Sequence, residues 1–169
     1  MSLTQQIKYE RVWAMPNART FQIKPIKELL DYEFGHDYTD IDYVDVFPFE
    51  SKVDCFDYLA SYDDNSVNRL ALDPPYTKRQ VSEHYKKNGG KVTGWHTSSG
   101  WTAKVKDEVA RIMKPGGKVI SFGYNTCGIG KTRGFEIIRI LDVCHGGDHY
   151  DTLCTVEVKT TSHNFREVM

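Results

Sequence analysis

The sequence predicts a single α/β domain whose mostly parallel sheet is closed by an antiparallel hairpin at one end. A chain of 169 residues suits one hydrophobic core rather than two. Strand and helix patterns alternate along its middle, which is typical of α/β folds. Two strand-like runs, Phe135 to Val143 and Thr152 to Lys159, are joined by a short polar turn. We expect residues 31–169 to form the sheet core and residues 1–30 an N-terminal arm and helix.

The elements before the first buried strand are short. Residues 1–20 show no clear periodicity and predict an irregular arm, and helical spacing of apolar residues first appears from Ile26 to Leu30. The alternating run from Ile41 to Val46 predicts a short strand. Val53 to Leu59 predicts a short connecting element.

The middle of the chain predicts a strand, a polar helix and a loop. Val67 to Leu72 follows a turn at residues 63–66 and ends in the apolar run Leu70-Ala71-Leu72, so we expect a buried strand there. Thr77 to Lys87 is polar and capable of forming a helix. The glycine-rich segment at residues 88–100 predicts a flexible loop.

An amphipathic helix is predicted from Thr102 to Met113, because its apolar residues fall on one face. The Lys-Pro-Gly-Gly sequence at residues 114–117 should end this helix. Lys118 to Phe122 then predicts another buried strand.

Composition excludes several classes of protein. The net charge is −1, so no overall basic field points to nucleic acid. No apolar run approaches the roughly 18 residues of a membrane span, and the N-terminal residues lack a signal-peptide pattern, so we expect a cytoplasmic protein without a membrane partner. The four cysteines form no C-x-x-C pair and predict reduced, structural thiols.

Two patterns that suggest cofactors fail on spacing. The six histidines are scattered, so no metal site is predicted. Residues 128–132 look like the end of a phosphate-binding loop but lack a glycine five residues before the Gly-Lys pair.

The most informative residues are Asp73, Pro74, Pro75 and Tyr76, which follow the predicted strand Val67 to Leu72 directly. An α/β sheet binds its ligands beyond the carboxyl ends of its strands. Two prolines make the turn rigid, and the acid and the aromatic ring make it chemically distinctive. As an isolated tetrapeptide, the same sequence also fits a simple strand-ending turn.

Three ordered strings resemble those of a known family: Phe21-x-Ile23-Lys24-Pro25-Ile26, Asp73-Pro74-Pro75-Tyr76-Thr77-x-Arg79-Gln80-Val81, and Lys114-Pro115-Gly116-Gly117. The chain resembles the S-adenosylmethionine-dependent adenine-N6 DNA methyltransferases, in particular their small phage and bacterial members. The resemblance implies a Rossmann-like class I methyltransferase sheet. It also implies transfer of a methyl group from S-adenosylmethionine to the N6 amino group of a flipped adenine in DNA.

The resemblance gives the motif a catalytic role that its chemistry explains. The lone pair of the exocyclic nitrogen of adenine is delocalised into the ring, which makes the nitrogen a poor nucleophile. The Asp73 carboxylate and the Pro74 carbonyl would accept N–H bonds from the amino group and stabilise the charge developing on nitrogen. Pro75 would hold the turn, and Tyr76 would stack on the flipped base.

Further residues are implied to bind the cofactor, in addition to Asp73. Asp45 resembles the acid that binds the ribose hydroxyls, and Asp54 the residue that faces the adenine amino group of the cofactor. Lys24 and Pro25 resemble the segment along the methionine end. Each has an ordinary alternative: a solvated acid, a helix N-cap or a surface lysine.

The chain departs from the family between Leu30 and Asp45. A strand-crossover-strand unit needs roughly 30 residues, and the segment from Asp31 to Val44 is far shorter. We therefore expect the first cofactor-binding strand, its loop and the following helix to be missing or collapsed into one strand. A methyltransferase-like protein that binds DNA or another protein without catalysis is the first alternative.

A basic and aromatic patch is predicted beside the motif. It comprises Lys78, Arg79, Lys86, Lys87 and Trp95, which would bind phosphates next to a flipped base. A solvated helix face explains the same pattern. Cytosine N4 or an RNA adenine is an alternative acceptor, because the same pocket suits any planar amino group. The sequence leaves open whether a homodimer supplies a DNA-recognition surface.

Overall fold

Helices pack on both faces of a six-stranded sheet in the computed structural model, which describes residues 6–35, 43–45, 55–74, 78–87, 93–94 and 98–160. In chain order the elements are β1 (Lys8–Trp13), α1 (Lys24–Phe34), β2 (Tyr43–Asp45), α2 (Cys55–Ala60), β3 (Val67–Leu72), α3 (Lys78–Lys87), α4 (Ser99–Ile112), β4 (Met113–Gly123), β5 (Phe135–Cys144) and β6 (Thr152–Lys159).

The sheet has the order β1-β5-β6-β4-β3-β2. Three strand pairs are parallel: β1 with β5, β2 with β3, and β3 with β4. The pairs that β6 makes with β4 and β5 are antiparallel. The prediction of an α/β fold with a mostly parallel sheet is confirmed. Strands β1 to β5 all end at the same edge, which we call the carboxyl edge, and α/β folds place their ligands there.

Strand β1 corrects the prediction of an irregular N-terminal arm. Lys8 pairs with Arg139 and Trp13 with Cys144, so β1 lies parallel to β5 along its whole length. Its residues alternate only between exposed and half-buried, so the apolar alternation that reveals a strand in sequence is missing. The hairpin of β5 and β6 is consequently not at the end of the sheet, because β1 lies beyond β5 and forms that edge.

Two apolar cores lie on opposite faces of the sheet, as the alternation of side chains along a strand requires. On one face, which we call the α4 face, α2 and α4 cover Leu70, Leu72 and Val119. On the other, the α1 face, helix α1 covers Ala71 and Ile120.

Helix α1 is longer than the predicted segment from Ile26 to Leu30. Pro25 lies in its first turn, where a missing N–H costs nothing, and Gly35 ends it at a φ of 91°. Phe21, just before the helix, packs against Phe122 with ring centroids 5.3 Å apart. The N-terminal end of α1 therefore lies near the carboxyl edge.

Helix α4 begins earlier than predicted because the Ser98 hydroxyl accepts a hydrogen bond from the Trp101 N–H at 3.2 Å. The prediction that Met113 ends the helix is wrong, since Met113 begins β4 and pairs with Val67. The buried Lys159 ammonium donates to the carbonyls of Ala110 and Met113 at 2.8 and 2.7 Å, which stabilises this change of direction.

Strand β4 starts five residues before the predicted Lys118 and includes the Lys-Pro-Gly-Gly sequence at residues 114–117. Strands β3 and β6 have the predicted limits, and β5 extends one residue further, to Cys144. All four cysteines are free thiols, and Cys127 is exposed. Among the helices described, none combines the length and apolar character that crossing a membrane requires.

Candidate functional site

The carboxyl edge brings two of the predicted acids onto neighbouring strands. Asp45 ends β2 and pairs with Ala71 of β3, two residues before Asp73. Strand β4 lies on the other side of β3. The chain thus leaves the sheet at Asp73 between two parallel neighbours of β3. Pro75, Tyr76 and Asp54 lie outside the described residues, and of Asp45 only the backbone is described.

Asp73, directly after β3, is half-buried. Burial, together with the nearby charge of Asp73, raises the pKa of the Cys154 thiol, and Cys154 belongs to the core on the α1 face. Leu72, the last residue of β3, belongs to the core on the α4 face. Asp73 therefore lies at the carboxyl edge next to residues of both cores.

A cleft of about 220 Å³ opens on the α4 face, next to Pro74. It lies between the N-terminal half of α4, the end of β4 and the segment that follows β4. Its walls are mainly apolar and aromatic, with a few polar groups, which is the usual composition of a small-molecule site. The residues that matter most are Pro74, Trp101, Lys106, Ser121, Tyr124 and Asn125.

Two polar groups of this cleft, on Ser121 and Lys106, have no hydrogen-bond partner among the described residues. The Ser121 hydroxyl oxygen is buried and has no hydrogen-bond partner within the described part of the chain. Lys106 is half-buried and forms no hydrogen bond or ion pair with a described residue. Buried polar groups are normally paired, so the Ser121 hydroxyl indicates a polar atom of a ligand or a water molecule at the floor of the cleft.

A fully buried carboxyl group holds the segment opposite α4. Glu157 Oε2 accepts the Ile129 N–H at 2.7 Å and Oε1 accepts the Gly130 N–H at 3.0 Å. Burial raises the pKa of Glu157, and these two hydrogen bonds offset only part of that shift. Gly128 has a φ of +49°, and a Cβ there would lie 2.2 Å from Glu157 Oε2. The segment that follows β4 therefore packs directly against the Glu157 carboxyl group at Gly128.

A second contact ties the same segment to α4. Arg133 Nε lies 2.6 Å from Asp107 Oδ1, and its guanidinium also donates to the Ala103 carbonyl at 3.4 Å. Both walls of the cleft are therefore fixed relative to each other.

Sequence reasoning missed the cleft residues Trp101, Lys106 and Ser121, and it missed Glu157. The available signal for Glu157 was an acid in the middle of the apolar run from Cys154 to Val158. An unsupported charge at such a position is costly and indicates a specific partner. For Lys106 and Ser121 there was no comparable signal, because their positions suit an ordinary helix and strand.

Lys24 and Pro25 lie near the carboxyl edge, since they begin α1. The Lys24 side chain is 87% exposed, and its Nζ lies 3.9 Å from Glu28 Oε1. Helix α1 covers the face of the sheet opposite the cleft. The structure therefore brings these two residues to the predicted edge but not into the cleft.

The predicted basic patch falls on and after α3. Arg79, Lys86 and Lys87 are exposed. Arg79 Nε lies 2.7 Å from Glu83 Oε1, and this hydrogen bond raises the pKa of the guanidinium. Of Lys78 only the backbone is described, and Trp95 lies outside the described residues. The geometry fits a solvated helix face as well as it fits a phosphate-binding surface.

One cluster has the composition of a metal site. Ligand atoms of Asp142, Cys144 and Asp151 all lie within 4.8 Å of one another. Arg11 already lies among them, with Nε 2.7 Å from Cys144 Sγ and 3.4 Å from Asp142 Oδ2. Its Nη2 lies 3.4 Å from Asp151. The guanidinium supplies the positive charge, so the cluster is an ion-pair network that ties β1 to β5.

Comparison with known proteins assigns no family: neither the models of protein families nor the curated proteins give a match to this chain.

Proposed function

We propose that this protein transfers a methyl group from S-adenosylmethionine to the N6 amino group of adenine in DNA. The observation that carries the proposal is the position of Asp73 and Pro74. They follow β3 at the carboxyl edge, with β2 and its terminal Asp45 on one side and the aromatic cleft beside β4 on the other.

The chemistry of the turn suits an amino group as the acceptor of the methyl group. The Asp73 carboxylate and the Pro74 carbonyl oxygen are hydrogen-bond acceptors, and neither Pro74 nor Pro75 has an N–H to donate. Two N–H bonds to these acceptors would orient the nitrogen lone pair and stabilise the positive charge that develops on nitrogen. The aromatic walls of the cleft would bind a planar ring that has left its stack.

The residue types at the carboxyl edge suit S-adenosylmethionine as a cofactor. A carboxylate can accept hydrogen bonds from ribose hydroxyls, and Asp45 ends β2 next to β3, the strand that Asp73 follows. When bound, S-adenosylmethionine supplies an electrophilic methyl group. Asp45 and Asp73 would hold it, and Lys24 and Pro25 at the start of α1 would lie along the same edge.

A second candidate is favoured by one observation. Between Phe34 and Val67, the described residues contain a single strand, the three-residue β2, and one short helix. The short segment from Asp31 to Val44 predicts a reduced cofactor site. A methyltransferase-like protein that binds DNA without catalysis is the function that remains if cofactor binding has been lost.

The test is incorporation of a labelled methyl group by the purified protein, with calorimetric titration of S-adenosylmethionine alongside. Duplexes rich in dA, duplexes rich in dC, and RNA are compared as acceptors. Asp73→Asn keeps the shape of the side chain and removes its charge, so we expect the rate to fall by about 100-fold or more. Asp148→Asn, at an exposed acid in the turn before β6, is the matched control and should leave the rate unchanged.

Two results would contradict the proposal. An Asp73→Asn variant as active as the wild type would remove the assigned role of the acid. If the wild type binds no S-adenosylmethionine and methylates none of the three acceptors, the binding-protein alternative replaces the enzyme.

A further inference from the structure

We propose that the cleft between α4 and β4 binds a phosphorylated nucleotide, with the base against the aromatic walls and a phosphate at Lys106. The choice of adenine as the base rests on the proposed function. The phosphate is inferred from the cleft itself, so the two proposals fail under different measurements.

The walls of the cleft suit one planar ring. Trp101 is only 4% exposed and is held edge-on by Phe56, with ring centroids 6.3 Å apart. Tyr124 on the opposite wall is 42% exposed and packs against Tyr150. A volume of about 220 Å³ lies below the usual range of about 300–1,000 Å³ for ligand pockets. The cleft therefore accommodates a single base with a substituent rather than a stretch of duplex.

The charge in the cleft favours an anionic substituent. Lys106 lines the cleft, and its ammonium has three donors that no described residue accepts. The charge of Glu157 is near enough to interact with Lys106, but both carboxyl oxygens of Glu157 already accept backbone N–H groups. Asp107, next to Lys106 on α4, is paired with Arg133. A ligand phosphate would complete the environment of the lysine.

The floor of the cleft adds a specific polar contact. The buried Ser121 hydroxyl has no described partner and can either donate to a ring nitrogen or accept from an amino group. Because the contacts of Glu157 and Arg133 fix the wall opposite α4, the ligand would enter a preformed site.

The phosphate can belong to a free nucleotide or to a nucleic-acid strand, because Lys106 would recognise the same anionic oxygens in both. The experiment uses a Trp13→Phe, Trp95→Phe background, which leaves Trp101 as the only tryptophan. Its fluorescence is titrated without S-adenosylmethionine, using adenosine, 5′-AMP, 3′-AMP, inorganic phosphate and a short single-stranded oligo-dA.

We expect at least one AMP isomer to bind about tenfold or more tightly than adenosine, since hydrogen bonds to charged groups are the strong ones. Lys106→Met should abolish this preference, and Lys106→Arg should restore most of it. Lys104→Met, on the exposed side of the same helix, should preserve it. Tight binding of oligo-dA would assign the phosphate to a strand, and tight binding of AMP alone to a free nucleotide.

Equal affinity for adenosine and both AMP isomers in the wild type would overturn the inference, even if DNA methylation is observed. So would a Lys106→Met variant that keeps the preference. If Lys106→Met does not fold, the salt dependence of the wild-type preference decides: it should shrink as salt rises, and a salt-independent preference would exclude the lysine. A wild type that prefers AMP but never methylates would refute the proposed function alone.

Discussion

Replacing Gly128 by alanine should destabilise the fold by about 4 kcal/mol. The new Cβ would lie 2.2 Å from Glu157 Oε2 and 2.6 Å from Oε1, distances that no carbon can occupy. The carboxyl group must then move away from the N–H groups of Ile129 and Gly130. Each buried group left without its partner costs about 1–3 kcal/mol, and a left-handed alanine adds about 1–2 kcal/mol. The expected cost of about 4 kcal/mol lies in the lower half of the sum of these contributions, because the segment around Gly128 can partly relax.

Gly147→Ala is the matched control, because Gly147 has a similar φ of +58° and no atom within 4 Å of the added Cβ. It should cost only the strain of about 1–2 kcal/mol. Urea denaturation of both variants gives the two free energies of unfolding. The same Gly128→Ala substitution in a Glu157→Ala background should cost no more than the control, since the clash is gone. If Gly128→Ala and Gly147→Ala differ by less than about 1 kcal/mol, Glu157 does not hold this segment.

Two further predictions concern buried charges. Lys159→Met should lower the free energy of unfolding by about 2–4 kcal/mol, because the carbonyls of Ala110 and Met113 and the Asn65 side chain lose their shared donor. Thermal denaturation measures this loss. An equal effect of Lys131→Met, at an exposed residue, would contradict the prediction. Burial raises the folded-state pKa of Glu157 above its ordinary value of 4.5, so the folded state binds this proton more tightly than the unfolded state. The free energy of unfolding of the wild type, relative to that of Glu157→Gln, should therefore fall as pH rises from about 4.5 through the raised pKa. Urea denaturation of both proteins at several pH values measures this difference, and a difference that does not change with pH would contradict the prediction.

Elements with a strong internal pattern could be predicted from sequence alone. The sequence predicts the observed limits of strands β3 and β6, because turn residues precede each strand and apolar residues recur along it. Helix α4 was predicted from its apolar face, and only its ends moved: Ser98 extended the start, and pairing of Met113 with Val67 shortened the end. Boundaries depend on individual hydrogen bonds, which periodicity does not encode.

Strand β1 shows why the rest could not be predicted. Its backbone hydrogen bonds go to β5, about 130 residues later in the chain, and its side chains are at most half-buried. An edge strand needs no apolar alternation, so only the presence of β5 makes Lys8–Trp13 a strand.

The sequence by itself determined the α/β class and the strand that delivers Asp73, because hydrophobic periodicity acts locally. Only the tertiary structure decided that Asp45 ends beside β3 and that Lys106, Ser121 and Trp101 meet in one cleft. The same is true of Glu157, which is buried under Gly128. These contacts join residues that are distant in sequence, and they form only when strand pairing and helix packing bring the elements together.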